Sequence, residues 1–146
     1  MGDSDRMDVE AVVRLLNEAL SLQMRSSLEF TWLAGSATGM QFQALTVQMQ
    51  AFGEHELGDT RRLIEKIKAI GGEPATRVAQ PAAIPATVEG LDQLIDHESE
   101  ALEALRQVIP ATGHEAASEA LEHLLEHIIM RKQNQIDLLI RARGSD

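Results

Sequence analysis

The prolines of this 146-residue chain are bunched, and that bunching constrains the fold more than any other feature. Three of the four (Pro74, Pro81, Pro85) fall in one short segment, and the fourth is Pro110. Proline removes a backbone donor and clashes with the helical turn before it, so helices stop there. Four stretches escape it, about 8–34, 40–70, 87–109 and 114–143. Each repeats apolar residues at three- and four-residue steps, the spacing of one helix face.

Capping residues stand where these boundaries need them. Ser4/Asp5 or Asp8 can open the first helix, and Thr87 with Gly90 behind it can open the third. Gly71-Gly72 followed by Pro74 closes the second, Ile109-Pro110 closes the third, and Gly113 separates the third from the fourth. Connection lengths then set topology. The turn near 35–40 and the turn Pro110–Gly113 are short, so each joins antiparallel neighbours. The link Gly71–Ala86 is long, and extended chain of that length reaches along a helix of roughly 40 Å. Two helical hairpins joined by a long crossover give an all-α four-helix bundle, with residues 1–146 as one domain. The alternative, an interdomain linker, would leave a broad apolar stripe exposed on each hairpin.

Composition narrows the function. Aromatic residues make up 3%, which argues against a β-sandwich or barrel, and 44% hydrophobic residues are enough for a core. Cysteine is absent, so disulfides, thiolate metal sites and cysteine nucleophiles are excluded. A net charge of −10 disfavours a phosphate-binding surface, and nucleic acid is not an expected partner. No apolar run approaches a membrane span and the start is polar, so a cytoplasmic protein is expected.

The inward stripe runs Val12, Leu16, Ala19, Gln23, Ser26 or Ser27, Phe30, Leu33 in the first helix. In the second it runs Leu45, Met49, Phe52, Glu56, Asp59, Leu63, Ile67, Ile70. In the third it is Leu91, Leu94, Glu98, Leu102, Leu105, Ile109, and in the fourth Leu121, Leu125, Ile128, Lys132, Gln135, Leu139. Every stripe is apolar except near its middle, where Gln23, Glu56 with Asp59, Glu98, and Lys132 with Gln135 interrupt it. A buried charge must find a partner or lose its charge, and six polar groups at one level can satisfy one another. A central polar layer follows. The competing reading rotates one or two helices so that these residues face water.

At these residues the chain resembles the ferritin superfamily, and bacterioferritin most closely. The spacing Gln23–Glu56–Glu98–Lys132 is 33, 42 and 34 residues, close to that family's separation of site positions. Leu16-Asn17, Leu63-Ile64-Glu65-Lys66-Ile67 before Gly71-Gly72-Glu73-Pro74, Ile128-Ile129 and Ile136-Asp137-Leu138-Leu139 carry the local likeness, over about 8–143. The resemblance implies a ferritin-like bundle and a di-iron site made of one Glu from each of two helices and a Glu-x-x-His motif from each of the other two. Here Gln23 takes a Glu position, Asp59 a His position, and Lys132 and Gln135 the fourth helix's Glu and His positions. Only Glu56 and Glu98 match.

Four carboxylates and two imidazoles would balance two divalent ions. Glu56, Asp59, Glu98 and Lys132 sum instead to −2, and a protonated ammonium cannot ligate. The two-iron oxidase centre is therefore expected to be absent, with Lys132 pairing with Glu56 and Glu98, and a proton or second cation balancing the remaining charge. The family's tyrosines beside iron have no counterpart, Phe30 filling one such place, and Leu57 replaces the Met that would hold haem, so haem is not expected. Only 11 residues follow Gln135, so the short fifth helix of the family's shell-forming chains is not expected, nor the closed cage that goes with it. A dimer through the first two helices is expected.

Other candidates carry less. His123 and His127 have chelating spacing but fall off the stripe; His55, His97 and His114 also lie outside it. Arg61, Arg62, Lys66 and Lys68 read as a solvated face, and Met40 and Met49 as core filler. Trp32 reads as either core or dimer contact. Three functions remain. The first is a non-catalytic oligomer or binding partner, including a heteromer with an active homologue. The second is a site of Glu56, Asp59 and Glu98, assisted by Gln23, for one divalent Fe, Mn or Mg ion. The third is residual iron oxidation or storage as in the family.

Overall fold

The structure, a computed structural model, describes residues 6–144. Four α-helices carry the fold: α1 Val9–Ser36, α2 Gln43–Ala69, α3 Val88–Val108 and α4 Ala116–Arg143. One-turn 3₁₀ segments, Met40–Phe42 and Ile109–Ala111, precede α2 and follow α3. The described residues contain no strand, no helix beyond α4 and no helix long and apolar enough to cross a membrane.

The helix ends obey their local chemistry. Asp8 caps α1 by accepting from the Ala11 amide, and Thr87 caps α3 by accepting from the Gly90 amide. Ser4 and Asp5, the other candidates for the first cap, lie outside the described residues. Gly71 takes φ 93° just past α2, a left-handed turn that favours glycine. Pro110 does not simply terminate α3: it sits at the start of the 3₁₀ turn, where its missing N–H costs nothing.

The crossover runs along α1 from its first half to its second. Asn17 both donates to the Glu73 carbonyl and accepts from the Ala75 amide; further along, the Ala79 amide donates to the Ser21 carbonyl. The Ala82 amide then donates to Glu29. This path returns the chain to the far end of the bundle before α3 begins, so α3 descends beside α1 and α4 rises beside α3. Ion pairs across the bundle follow that order, with Arg25 meeting Glu100 and Arg143 meeting Asp92.

The core has two apolar halves. One gathers Val12, Leu16, Leu20, Leu63, Ile67, Leu105, Leu121, Leu125 and Ile128. The other gathers Phe30, Leu33, Met49, Phe52, Ile84, Leu91, Leu94 and Leu139. Phe30 and Phe52 meet edge to face, centroids 5.5 Å apart. Apart from Leu45, Ile70 and Ile109, which are half-buried, every stripe residue of the four helices is buried. Met40 is the correction: it is 90% exposed in the turn before α2, while Met49 is in the core as expected.

Candidate functional site

Each helix brings its stripe's polar residue to the level between the two apolar halves. Gln23 comes from α1, Glu56 from α2, Glu98 from α3, and Lys132 with Gln135 from α4. None is more than 3% exposed. The two apolar halves of the core lie above and below this level and shut out solvent, so these groups must be satisfied from within the protein.

Glu56 is the hub. Its two carboxylate oxygens accept from the Lys132 ammonium at 2.9 and 3.0 Å. The Gln135 amide donates to Oε1 and the Gln23 amide to Oε2. The ammonium's third contact is to Glu98 Oε2, at 2.9 Å. Lys132 thus ties α2 to α3 from α4, with its Nζ held between two carboxylates.

Electrostatics follow from that placement. Burial pushes the Glu56 carboxyl up from 4.5 to about 7; Lys132 pulls it down and Glu98 adds to the rise. Burial acts to lower the Lys132 ammonium, but Glu56 and Glu98 outweigh it and hold its pKa above the ordinary value. Lys132 is therefore a firm cation at neutral pH, and the proton that moves near neutrality belongs to Glu56.

Asp59 stands apart from this layer. It is buried, but its carboxylate accepts from Arg62 Nη1 at 3.0 Å and from Arg131 Nη1. Among the described residues no three His, Cys, Asp or Glu side chains are arranged to hold a metal ion.

The Ferritin family profile, described as a ferritin-like domain, matches residues 13–140. The chain belongs to the ferritin-like family. Solved structures agree on the fold. A ferritin-like, di-iron-carboxylate protein from Bacillus anthracis superposes with a TM-score of 0.82 at 23% identity, covering 99% of this chain and 100% of that one. BfrA from M. tuberculosis superposes with a TM-score of 0.79 at 22% identity, covering 88% and 80% of the two chains. No curated protein matches the sequence.

In this ferritin-like chain several polar pairings escape the stripe reading. Arg62 and Arg131, both partly open to solvent, are one set: the spacing i, i+3 from Asp59 could have flagged Arg62, but Arg131 is reached only through the packing of α4 on α2. Glu29 and His97 are another. Glu29 is wholly buried, and His97 Nδ1 lies 2.8 Å from both its oxygens. A proton on Nδ1 lets the ring donate to that carboxylate. His55, His114, His123 and His127 are exposed, and His123 reaches only Glu126, at 3.8 Å. Trp32, which the sequence left between core and dimer contact, is 53% exposed and so is not core.

Proposed function

We propose that this protein is a ferritin-like chain in which a lysine-centred hydrogen-bonded layer replaces the di-iron centre, and that it acts as a non-catalytic, self-associating protein. What carries the reading is the position of the Lys132 amine, 2.9 Å from a carboxylate oxygen of Glu56 on one side and of Glu98 on the other. Both oxygens of Glu56 already accept hydrogen bonds, and a protonated amine offers a metal no lone pair and repels it. With Asp59 committed to two guanidiniums, the donor set does not fit a pair of metal ions.

Self-association is supported by apolar side chains left open on the first hairpin. Leu28 and Trp32 are one turn apart on α1, and Leu57 and Ile64 two turns apart on α2. Exposed large apolar side chains on two neighbouring helices are the material of an interface.

The deciding experiment is metal content of protein produced in iron- and manganese-supplemented medium, followed by ferrous oxidation. Absence of tightly held metal and background oxidation support the reading; two irons per chain with rapid oxidation overturn it. One ion per chain that is lost in Glu56→Ala would mean a reduced carboxylate site instead. A Lys132→Glu, Gln135→His double variant should regain iron binding. No gain in a folded variant would mean the layer does not correspond to the family's site. Sedimentation of wild type against Trp32→Glu, Leu57→Glu tests the interface: a dimer becomes a monomer, or the association claim falls.

A further inference from the structure

Three oxygens of the polar layer have no partner. They are Gln23 Oε1, Gln135 Oε1 and Glu98 Oε1. All three are buried, and all three can only accept. Each is joined through a single carbon to an atom already in the network. The two amides donate to opposite oxygens of Glu56, and the other oxygen of Glu98 takes Lys132. Ser26 Oγ, one turn from Gln23 on the inward face of α1, is a fourth buried oxygen without a partner. Unsatisfied buried acceptors cost free energy, and their gathering at one level calls for a guest that supplies positive charge or donors.

Charge says which guest. Asp59 pairs outside the layer with Arg62 and Arg131, both partly open to solvent, so the layer proper holds Glu56, Glu98 and Lys132, a net −1 when both carboxyls are ionised. A water molecule is neutral and donates twice, too few for three accept-only oxygens. A proton on Glu56 cancels the charge below about pH 7 but donates once, so above that pH both the charge and the open acceptors remain. A divalent ion overshoots the charge and faces the ammonium.

We infer that the layer binds one small monovalent cation (ammonium or an alkali ion) beside Lys132, held by Gln23 Oε1, Gln135 Oε1 and Glu98 Oε1, with Ser26 Oγ one turn along α1 as a further candidate donor atom. The inference rests on the reading that Lys132 fills the layer. The cation brings net charge to zero and satisfies the acceptors that the protein leaves open. Ammonium does so with four N–H donors, and potassium or sodium by direct coordination.

Thermal unfolding of the full chain in ammonium, potassium and sodium chloride, against choline chloride at matched ionic strength, tests this. Choline is too large for a buried site. A saturable rise of roughly 3 °C or more over choline is expected for at least one of the three. Glu98→Gln removes both the negative charge and an accept-only oxygen, so the rise should vanish. If that variant does not fold, Gln23→Met with Gln135→Met should abolish it in the same way. Crystals soaked in rubidium or thallium salts should show anomalous density in the layer. Identical melting in choline and in all three small cations overturns the inference, as does a layer containing water alone. Either result leaves the lysine reading standing. Retained stoichiometric iron or manganese would instead remove the lysine reading and this one with it.

Discussion

The Lys132 ammonium and the Glu98 carboxylate meet at 2.9 Å, each at most 1% exposed, joining α4 to α3 through the centre of the core. Glu56 completes the triad from α2. Removing one member of such a buried set leaves the others uncompensated. Lys132→Met should therefore lower stability by about 3–5 kcal/mol, read as a fall in the urea midpoint at unchanged m-value. Replacing all three residues by apolar ones of similar volume should cost much less, because no orphan charge remains. A single replacement no worse than the triple would disprove the pairing.

Stability should fall between about pH 4.5 and 7. Glu56 titrates near 4.5 when unfolded and about 7 when folded, so in this window the folded state binds more protons than the unfolded one. The penalty is absent below 4.5, grows as pH rises, and is complete above about 7. Its full size is about 3 kcal/mol, at 1.36 kcal/mol per pH unit. Lys132, raised above 10.5, keeps its contribution throughout this range and loses it only as pH rises through its folded-state value. Glu56→Gln should flatten the decline in denaturation experiments at pH 5, 6 and 7. An equal decline in the variant would assign the proton elsewhere.

The layer was legible in the sequence because helical periodicity is a local property. Once Val12, Leu16 and Ala19 define a face, Gln23 must share it, and the same holds for Lys132 below Ile128. What periodicity cannot supply is the partner from another helix. Asp59 lies on the α2 stripe and is buried as the stripe demands, yet Arg131 reaches it from α4 and withdraws it from the layer. Arg62, by contrast, is exposed as a solvated helix face should be, and pairs with Asp59 from the same helix. Glu29 was hidden differently: α1 is buried on a second face, where the crossover lies along it, and a single-stripe reading takes that face for surface. Twelve residues of α1 are buried against eight of the similar-length α2, which measures the extra cover. Met40 failed in the opposite sense, because the helical period does not extend into a 3₁₀ turn.

Gly90 should tolerate no side chain. A Cβ there would collide with the Pro85 carbonyl oxygen, a backbone atom that cannot swing aside. Thr87 caps this same turn, and Pro85 limits how the preceding chain can move. Gly90→Ala gains helix propensity, yet the collision forces the crossover's end off α3, and a net loss of about 1–3 kcal/mol is expected. Gly35→Ala is the control, since nothing lies within 4 Å of its Cβ position. Melting temperatures of the two variants should diverge in sign or differ by several degrees; equal values would mean the Gly90 contact is not tight.

The crossover should be fastened mainly through Glu29. Its carboxylate accepts from the Ala82 amide at 2.8 Å and from His97 Nδ1 at 2.8 Å, so one buried group on α1 holds both the crossover and α3. Glutamine at this position keeps the size but removes the charge that strengthens both bonds and puts a buried NH2 donor where an accepting oxygen stood, facing groups that themselves donate. Glu29→Gln should cost about 1–3 kcal/mol, the range for stranding a buried polar group. The local signature is more specific than the global loss. Exchange of the Ala82 amide hydrogen should accelerate well beyond that of amides in α4, and proteases should cut within residues 76–84 sooner than in wild type. His97→Ala spares the Ala82 bond, so it should lower stability while leaving that amide more protected than Glu29→Gln does. A double-mutant cycle between the two positions should return a coupling of about 0.5–3 kcal/mol. Coupling near zero, with unaltered Ala82 exchange, would mean that the crossover is held by its Asn17 and Ser21 contacts alone.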